Sequence, residues 1–585
     1  MALYRCGVGI DEEGGSGFDY AATIINNGVR ERVPSMGSCY NAFYSNYINS
    51  PVVIGNCVDN CAYMFYYCYY FNQPIAIPNN VVDCSYMFAY CYNFNQPITL
   101  HESNIQYYNM QGMFRSCNNF SQPIIIYASG YETNCSEMFA VCSNFNSDII
   151  INRNNLTNVW SGESYYNTRY ISLNNFLYGC YRFNSNVIFD FEHDENITLC
   201  VYAYDMFNGC SNFNQPVTLP NEICGMSYMF NGCSNFNQPI TLPNNIDGGA
   251  TFIFNNCQKF NQSITIPNVD TSFQGMFTNC ISLNSQIIFE DVSRNNLKVP
   301  YMFNNCTNFN QPIYINNVIN QCDLNYMLYN CNNFSSSVYI NVNNQCNVPY
   351  MFINCNHFNN DVFINSAYCN AYFTLANARE FNSNITISAN RLIATSMFFN
   401  CSAFDMPLNI VVNTVVNANN MFSNCYAFNQ ELDWNNLKFE GSCDNMFNNC
   451  QSFNPTNPIN LQLVPPAGYG YGSVACNNMF RNCVNLNCDV YISKNVVYAS
   501  NMFNNCISFG SNIYINNAQL SYSAVDQMLY NTNNMIVKNV FCSNIENLKR
   551  NIIRPALTWT DLPDGNGAYN AATNIYLYNN YSGSV

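Results

Sequence analysis

The sequence predicts an α/β-type repeat solenoid, a coil with a continuous parallel β-sheet on one face and short helical turns or irregular segments on the other. Three observations lead to this prediction. A five-residue pattern recurs along most of the chain, an alternating apolar stretch follows most copies, and 585 residues are too many for one ordinary globular core. One strand per repeat, always in the same direction, can pair only with the strand of the next repeat.

The recurring pattern is M-F-x-x-C. It defines twenty units, most of which start 23 to 26 residues apart. The full pattern starts at Met64, Met87, Met113, Met138, Met206, Met229, Met276, Met302, Met351, Met397, Met421, Met446, Met479 and Met502. Degenerate copies start at Ala42, Phe176, Ile253, Met327, Tyr372 and Met528.

The fullest unit, MFNGCSNFNQPITLPNNI, begins at Met229. We expect Phe230 and Phe236 to point into the coil, and the apolar–polar alternation of Ile240–Leu242 predicts a short half-buried strand. Pro243 ends that strand, since proline cannot donate to a ladder. The equivalent predicted strands are 75–77, 98–100, 264–266, 313–315, 385–387 and 513–515.

An asparagine follows the second phenylalanine in most units. An inward amide there could satisfy turn backbone groups and pass the bonding pattern to the next unit. These residues are Asn72, Asn95, Asn146, Asn184, Asn214, Asn237, Asn261, Asn310, Asn359, Asn382, Asn429 and Asn454.

Seventeen of the 32 cysteines occupy the fifth place of the unit, and Asn46, Ala376 and Thr532 replace cysteine in the other three units. A position that accepts Asn, Ala or Thr needs a small residue and not a bonded one, so we predict a column of buried free thiols. Two alternatives remain. The column cysteines could form disulfides with a second set of cysteines, which lie three residues before the unit start. They could also bind a metal ion, although the sequence has no C-x-x-C pair. The column is Cys68, Cys91, Cys117, Cys142, Cys180, Cys210, Cys233, Cys257, Cys280, Cys306, Cys331, Cys355, Cys401, Cys425, Cys450, Cys483 and Cys506. The second set is Cys39, Cys61, Cys84, Cys135, Cys369, Cys443 and Cys476.

The composition argues against several function classes. Charged residues are 9% of the chain, the net charge is -16, and the 19 Lys and Arg form no cluster, which disfavours nucleic acid. The sequence holds no apolar run long enough for membrane insertion, no secretory signal and no cofactor motif. A solvated loop is the simpler interpretation of the acidic segment around His193, although its carboxylates could hold a divalent cation. The nearest approach to the paired carboxylates of a glycosidase is Glu431 and Asp433, beside Trp434. We expect the protein to be no enzyme and to bind no metal ion or cofactor.

Binding residues are instead expected among the tyrosines, which number 45. Rigid tyrosine rings beside asparagine suit protein or glycan partners, although they could equally flank the core. Insertions in solenoids emerge as loops, and two long ones lie at about 147–175 and 455–475. The candidate binding residues are Tyr165, Tyr166, Tyr469 and Tyr471.

The unit C-x-x-F-N-Q-P-I-x-L/I-P, followed by M-F-x-x-C, resembles the BspA-like leucine-rich repeats of the Treponema and Mycoplasma types over residues 42–532. The resemblance implies a curved leucine-rich-repeat coil without catalytic residues. Family functions are surface adhesion and protein binding, and such repeats also occur in bacteriophage virion proteins. This sequence departs from the bacterial surface members in lacking a signal peptide and an anchor.

These observations predict an N-terminal cap or attachment segment at 1–41 with a Gly-rich joint, a solenoid at 42–532 and a C-terminal cap at 533–585. The leading functional hypothesis is a non-enzymatic phage virion component, such as a fibre or decoration protein. It would join other virion proteins through its N-terminal segment and bind a host-surface protein or glycan. A homo-oligomer is compatible with this hypothesis. The alternatives are a bacterial cell-surface adhesin and an intracellular interaction scaffold.

Overall fold

A computed structural model gives the fold of the chain. It describes residues 5–8, 18–20, 22–26, 29–33, 38–101, 107–128, 131–153, 168–191, 198–434, 436–461, 463–465, 474–515, 525–532, 538–542, 545–553 and 557–579. The chain divides into two compact units, Met1–Glu290 and Asp291–Val585. Each is a coil in which successive repeats pair through parallel strands, as an LRR-type solenoid requires.

The first unit contains fifteen strands among its described residues, and those within the coil are short because each repeat contributes only a few residues to each wall. They are β1 Arg5–Val8, β2 Phe18–Tyr20, β3 Ala22–Asn26, β4 Val29–Val33, β5 Val52–Ile54, β6 Tyr107–Asn109, β7 Ile124–Tyr127, β8 Glu132–Asn134, β9 Ile149–Arg153, β10 Thr168–Ser172, β11 Val187–Phe191, β12 Thr198–Tyr202, β13 Ile223–Gly225, β14 Ile264–Ile266 and β15 Ile287–Phe289.

The second unit has longer strands and, in its described part, one helix. Its strands are β16 Arg294–Lys298, β17 Ile313–Asp323, β18 Val338–Val342, β19 Gln345–Asn347, β20 Val362–Asn365, β21 Tyr368–Asn370, β22 Ile385–Ile393, β23 Leu408–Val416, β24 Phe439–Glu440, β25 Ile459–Leu461, β26 Leu463–Val464, β27 Val474–Ala475, β28 Val490–Ile492, β29 Val496–Tyr498, β30 Ile513–Ile515, β31 Lys538–Cys542, β32 Thr560–Asp561, β33 Gly567–Asn570 and β34 Ile575–Asn579. The helix is α1 Ile545–Asn551.

Two lines of parallel strands run along the coil where one was predicted. In the first unit β7, β9 and β11 form one sheet, while β6, β8, β10, β12 and β13 form another. The second line precedes the M-F-x-x-C segment. In the second unit β17, β22 and β23 are long enough to contribute to both lines.

Four of the seven predicted strands are confirmed, namely 264–266, 313–315, 385–387 and 513–515. Residues 75–77, 98–100 and 240–242 keep the predicted burial alternation but are not strands. Ile75 and Ile77, for example, are buried on either side of the exposed Ala76. The alternating pattern therefore identified the inward side chains correctly, although in three repeats no ladder forms.

The predicted helical turns of the opposite wall are wrong. Each M-F-x-x-C segment is a run of linked turns. Its backbone N–H groups alternate, so that one donates within its own turn and the next donates to the following repeat. Met64 N–H donates to the Cys61 carbonyl within its own turn at 3.1 Å, whereas Phe65 N–H donates to Met87 in the next repeat at 2.8 Å. The turn wall is thus itself an inter-repeat ladder, which an α-helix, with all its bonds internal, cannot be.

Left-handed residues explain why no helix forms. The residue before the start and the residue before the column cysteine have positive φ in the described repeats, as at Tyr63 (φ 56°) and Tyr67 (φ 61°). Two left-handed residues, four positions apart in each repeat, interrupt the run of right-handed residues that an α-helix requires. Glycine and asparagine tolerate this conformation best, and they precede the column position in most repeats, as in Gly209 and Asn256. This sequence signal was missed.

The interior is filled by two columns of phenylalanine, as predicted. Phe230 and Phe236 have no solvent exposure, and their ring centroids lie 4.6 Å apart. Each also stacks on its counterpart in the next repeat, Phe230 on Phe254 at 5.5 Å and Phe236 on Phe260 at 6.1 Å. Burying a phenylalanine is worth about 1.5–3 kcal/mol, so the stacking of repeats carries the stability.

Antiparallel strands lie at both ends of the chain. β3 pairs with β4 and β5 near the N-terminus, and β32, β33 and β34 form an antiparallel meander near the C-terminus. Parallel pairing continues beyond residue 532 through β31 and β34. An antiparallel meander ends a parallel coil because it cannot template another repeat in the same direction.

Candidate binding surface

The four predicted binding tyrosines, Tyr165, Tyr166, Tyr469 and Tyr471, lie outside the described residues, as do His193 and the Gly-rich joint. The structure instead brings together tyrosines of the first three repeats. We name this group the tyrosine surface. It comprises Tyr40, Tyr44, Tyr47, Tyr63, Tyr66, Tyr67, Tyr69, Tyr70, Tyr86, Tyr90 and Tyr92.

The repeat register stacks rings that are 22 or 23 residues apart in sequence. Tyr44 stacks on Tyr66 with centroids 5.4 Å apart, and Tyr67 stacks on Tyr90 at 4.6 Å. Rings within one repeat meet edge to face, as Tyr66 and Tyr67 do at 4.4 Å. Both arrangements are favoured by the aromatic quadrupole, so the rings hold one another in place.

The outer rings of the tyrosine surface are accessible to a partner. Tyr47 is 78% exposed, Tyr40 and Tyr70 are each 54% exposed, and Tyr44 is 50% exposed. Partial burial raises the pKa of Tyr63 and Tyr66 above the ordinary tyrosine value of about 10, at which the hydroxyl is already protonated at neutral pH.

The tyrosine surface carries little charge. The sequence has no Lys or Arg between Arg32 and Arg115. Arg115 borders the surface beside Tyr90 and is ion-paired with Glu137. The Asp83 carboxylate accepts bonds from Ser85 N–H at 2.9 Å and from Asn60 Nδ2 at 3.5 Å. The surface therefore offers hydroxyls and ring edges rather than an electrostatic field.

A second aromatic group lies on the outward sheet face of the second unit. Tyr491 stacks on Tyr514 at 4.4 Å, Tyr514 on Phe541 at 5.0 Å and Phe541 on Tyr578 at 4.9 Å. These rings are the outward residues of β28, β30, β31 and β34. They form a single file, so they present less continuous area than the tyrosine surface.

The asparagines after the second phenylalanine form the predicted inter-repeat ladder. Asn214 Oδ1 accepts the Asn237 N–H at 2.8 Å, and Asn237 Oδ1 accepts the Asn261 N–H at 2.8 Å. Their predicted inward direction is wrong: Asn214 and Asn237 are half-buried and Asn261 is exposed. An outer edge suits them because solvent can satisfy the remaining polar atoms.

The column cysteines lie buried in the coil wall. Their S–H groups donate to a backbone carbonyl of the preceding repeat, as Cys91 does to Phe65 at 3.0 Å and Cys233 to Phe207 at 3.0 Å. Burial raises the pKa of Cys91 and Cys233 well above the ordinary thiol value. The same bond forms at 2.8–3.1 Å for Cys68, Cys117, Cys142, Cys180, Cys210, Cys257, Cys280, Cys331, Cys355, Cys401, Cys425, Cys450, Cys483 and Cys506. The remaining member, Cys306, is also buried. Their redox state stays a prediction.

The second set of cysteines meets its own counterparts in neighbouring repeats. A hydrogen bond to Cys39 is the larger cause of the raised pKa of Cys61, and burial is the next. A hydrogen bond to Cys443 and burial raise the pKa of Cys476 in the same order. These thiols therefore face the next repeat rather than the column cysteine of their own. The structure also joins Cys200 and Cys224, on adjacent parallel strands, by a disulfide that sequence reasoning did not predict.

One predicted repeat start is wrong by two residues. The repeat assigned to Tyr372 begins at Thr374, since Leu375 N–H donates to Met397 and Cys401 donates to the Leu375 carbonyl. Ala378, not Ala376, therefore occupies the cysteine column. Cys369 pairs in register with Cys346, and Cys346 with Cys322, so Cys369 belongs to a separate column.

The weak catalytic candidates have local structural partners. Although partial burial opposes it, hydrogen bonds from Thr456 and Asn457 lower the pKa of Glu431. The Asp433 carboxylate binds Asn436 Nδ2 at 2.6 Å, while Trp434 is buried.

A metal site and a membrane span can be assessed only in the part of the chain that the structure describes. There, Nδ1 of His357 pairs with the Glu380 carboxylate at 3.0 Å, and both side chains are exposed. Within the described ranges no three His, Cys, Asp or Glu side chains gather as a metal site, and no helix there is long and apolar enough to cross a membrane.

The sequence profile of a family described as "Mycoplasma protein of unknown function, DUF285" matches residues 59–170, 155–266, 250–365, 369–460 and 473–551. The chain belongs to this family. The predicted membership of the Mycoplasma-type, BspA-like leucine-rich repeats is thereby confirmed.

Comparison with curated proteins finds no match. Among solved structures, a leucine-rich repeat protein from Bacteroides ovatus is 16% identical, covering 72% of this chain and 91% of its own, with a TM-score of 0.43. The plant peptide hormone receptor RGFR1 in complex with RGF2 is 9% identical, covering 83% of this chain and 70% of its own, with a TM-score of 0.21.

Proposed function

We propose that this protein is a non-enzymatic binding protein that attaches to a cell-surface partner through the tyrosine surface. The observation that carries the proposal is the gathering of eleven partly exposed tyrosines on three consecutive repeats. Nine of the rings form one contact network, and Tyr47 and Tyr70 form a separate pair with centroids 5.9 Å apart. Tyrosine contributes large contact area at low entropic cost, because only two side-chain torsions are fixed on binding. Here the rings are already held by their neighbours, which lowers that cost further.

The location of this binding remains part of the proposal. The leading hypothesis from the sequence is a virion surface, with other virion proteins as partners, and the alternative is a bacterial cell surface. The family description names Mycoplasma proteins, which favours a bacterial setting. A virion role draws its support only from the resemblance noted above. A homo-oligomer would increase the avidity of either arrangement by presenting several tyrosine surfaces at once.

The test is binding of the fluorescently labelled full chain to cultured epithelial cells and to bacterial cells, measured by flow cytometry. The variant Y44A/Y47A/Y70A removes three exposed rings without touching the phenylalanine core. The matched control is Y314A/Y498A/Y530A, which removes rings that are 56%, 52% and 44% exposed in the second unit. We expect at least a tenfold loss for the first variant and unchanged binding for the control. Equal binding by both variants, or no binding by the unaltered chain, would overturn the proposal.

A further inference from the structure

We propose that the occupant of the tyrosine surface is an uncharged, unbranched polysaccharide that lies along the coil axis. This inference rests on the proposed function and specifies the ligand class of the same surface. Three properties of the surface support it: its period, its charge and its hydrogen-bonding groups.

The tyrosine surface is periodic. Rings at equivalent positions of consecutive repeats have centroids 4.6 to 5.9 Å apart, with 4.6 Å from Tyr67 to Tyr90, 5.1 Å from Tyr63 to Tyr86 and 5.9 Å from Tyr47 to Tyr70. These steps reflect the strand spacing of a sheet, about 4.8 Å. An extended pyranose chain advances by a similar distance per sugar. Each sugar would therefore meet nearly the same groups as the sugar before it across the three repeats.

The charge of the surface disfavours anionic ligands. An anionic polysaccharide needs arginine or lysine partners, and the sequence between Arg32 and Arg115 has none. Arg115 itself is ion-paired with Glu137. A neutral ligand avoids the cost of burying unpaired charge against this surface.

The tyrosine side chains supply the contacts that a sugar requires. A phenol hydroxyl donates one hydrogen bond and accepts others, which matches the dual character of sugar hydroxyls. The exposed portions of Tyr40, Tyr47 and Tyr70 provide apolar ring area for the C–H groups of a pyranose. Tyrosine hydroxyls have an ordinary pKa of about 10, so they are protonated and able to donate at neutral pH.

Individual contacts of this kind are weak, so affinity should come from their number. Each additional sugar engages another repeat while already tethered, which raises its effective concentration at the surface. Binding should therefore strengthen with oligosaccharide length until the tyrosine layer is covered. Because no ion pair is involved, added salt should leave the affinity nearly unchanged.

The experiment measures binding of the full chain to insoluble cellulose, chitin, mannan and starch, with heparin and polygalacturonate as anionic polymers. Soluble oligosaccharides of increasing length from any polymer that binds are then titrated calorimetrically. The variants are Y47A/Y70A, the ring-retaining Y47F/Y70F and the control Y314A/Y498A. We expect at least one neutral polymer to bind, a tenfold or greater loss with Y47A/Y70A, a smaller loss with Y47F/Y70F and no change with the control.

Three outcomes overturn this inference: no neutral polymer binds, only anionic polymers bind, or Y47A/Y70A binds a neutral polymer as well as the unaltered chain does. Cell binding separates this failure from failure of the proposed function. Suppose that the Y44A/Y47A/Y70A variant loses cell binding, that protease treatment of the cells abolishes binding of the unaltered chain, and that periodate oxidation of the cells does not. The partner is then a protein. The proposed function then stands and the polysaccharide assignment fails.

Discussion

The thiol of Cys233 lies 3.0 Å from the carbonyl oxygen of Phe207 in the preceding repeat. That carbonyl belongs to the left-handed turn wall, where half of the amides bond to the next repeat. The cysteine column therefore adds a further connection between neighbouring repeats, beside the strand pairing, the turn-wall ladder, the asparagine ladder and the phenylalanine stacks. Because the thiols must remain protonated to donate, their ionisation is coupled to folding.

The first prediction is that stability falls at alkaline pH. Burial raises the pKa of Cys210 and Cys233 above the unfolded thiol value of about 8.5. Below that pH both states hold the proton and the contribution is fully present. Above it the unfolded chain ionises first, so stability is lost by about 1.4 kcal/mol per pH unit and thiol.

The measurement is the thermal midpoint, followed by circular dichroism from neutral pH to about pH 9, one unit below the pKa of about 10 of an exposed tyrosine. The variant C210A/C233A serves as the control, since it removes two titrating groups and should show a shallower decline. A midpoint that is constant across this range would contradict the coupling of thiol ionisation to folding.

A second prediction concerns the asparagine ladder. N214A removes the acceptor for the Asn237 N–H at 2.8 Å and for Gln238 Nε2 at 3.2 Å, and it should cost about 1 kcal/mol. N214D should be nearly neutral, because Asp405 accepts the Asn429 N–H at 2.8 Å in the same role. Urea denaturation compares the two variants, and equal midpoints would show that the ladder contributes nothing.

A third prediction is that V141N and V141G stabilise the protein. Val141 has φ 62°, a left-handed conformation that branched residues adopt only with strain, and it is 41% exposed. Gly179 and Gly209 occupy the equivalent position in the next two repeats. Relief of strain should be worth about 1 kcal/mol.

The reverse substitution tests the same strain. G209V should destabilise the protein by about 1–2 kcal/mol, and its new Cβ would also lie 3.4 Å from the Gly179 Cα. The measurement is the thermal midpoint of V141N, V141G and G209V, each compared with that of the unaltered chain. A lower midpoint for V141N and V141G would mean that the valine contacts matter more than its backbone strain.

The sequence was most informative where one residue type has one role. Phe230, Phe236 and the column cysteines were predicted to be buried, and all of them are. The second line of strands was missed because β6 and β8 each bury only their middle residue, leaving no apolar alternation to detect. The turn wall was misjudged because its conformation depends on left-handed residues rather than on hydrophobic period.

The tyrosine surface was only partly foreseeable. The sequence places the candidate binding tyrosines in the insertions, because loops often carry recognition. Tyr44 and Tyr66 are 22 residues apart, and only the repeat register places one ring on the other. Equivalent tyrosines at the same positions of consecutive repeats were the available signal.

The most direct test of the central claim is tyrosine nitration of the full chain, free and bound to the cells that retain it, read by mass spectrometry. Tyr47 and Tyr70 should be nitrated readily in the free chain and protected at least fivefold in the bound chain. Tyr314 and Tyr498, which are 56% and 52% exposed, should be nitrated equally in both. Unchanged nitration of Tyr47 and Tyr70 on binding would show that the tyrosine surface is not the site of attachment.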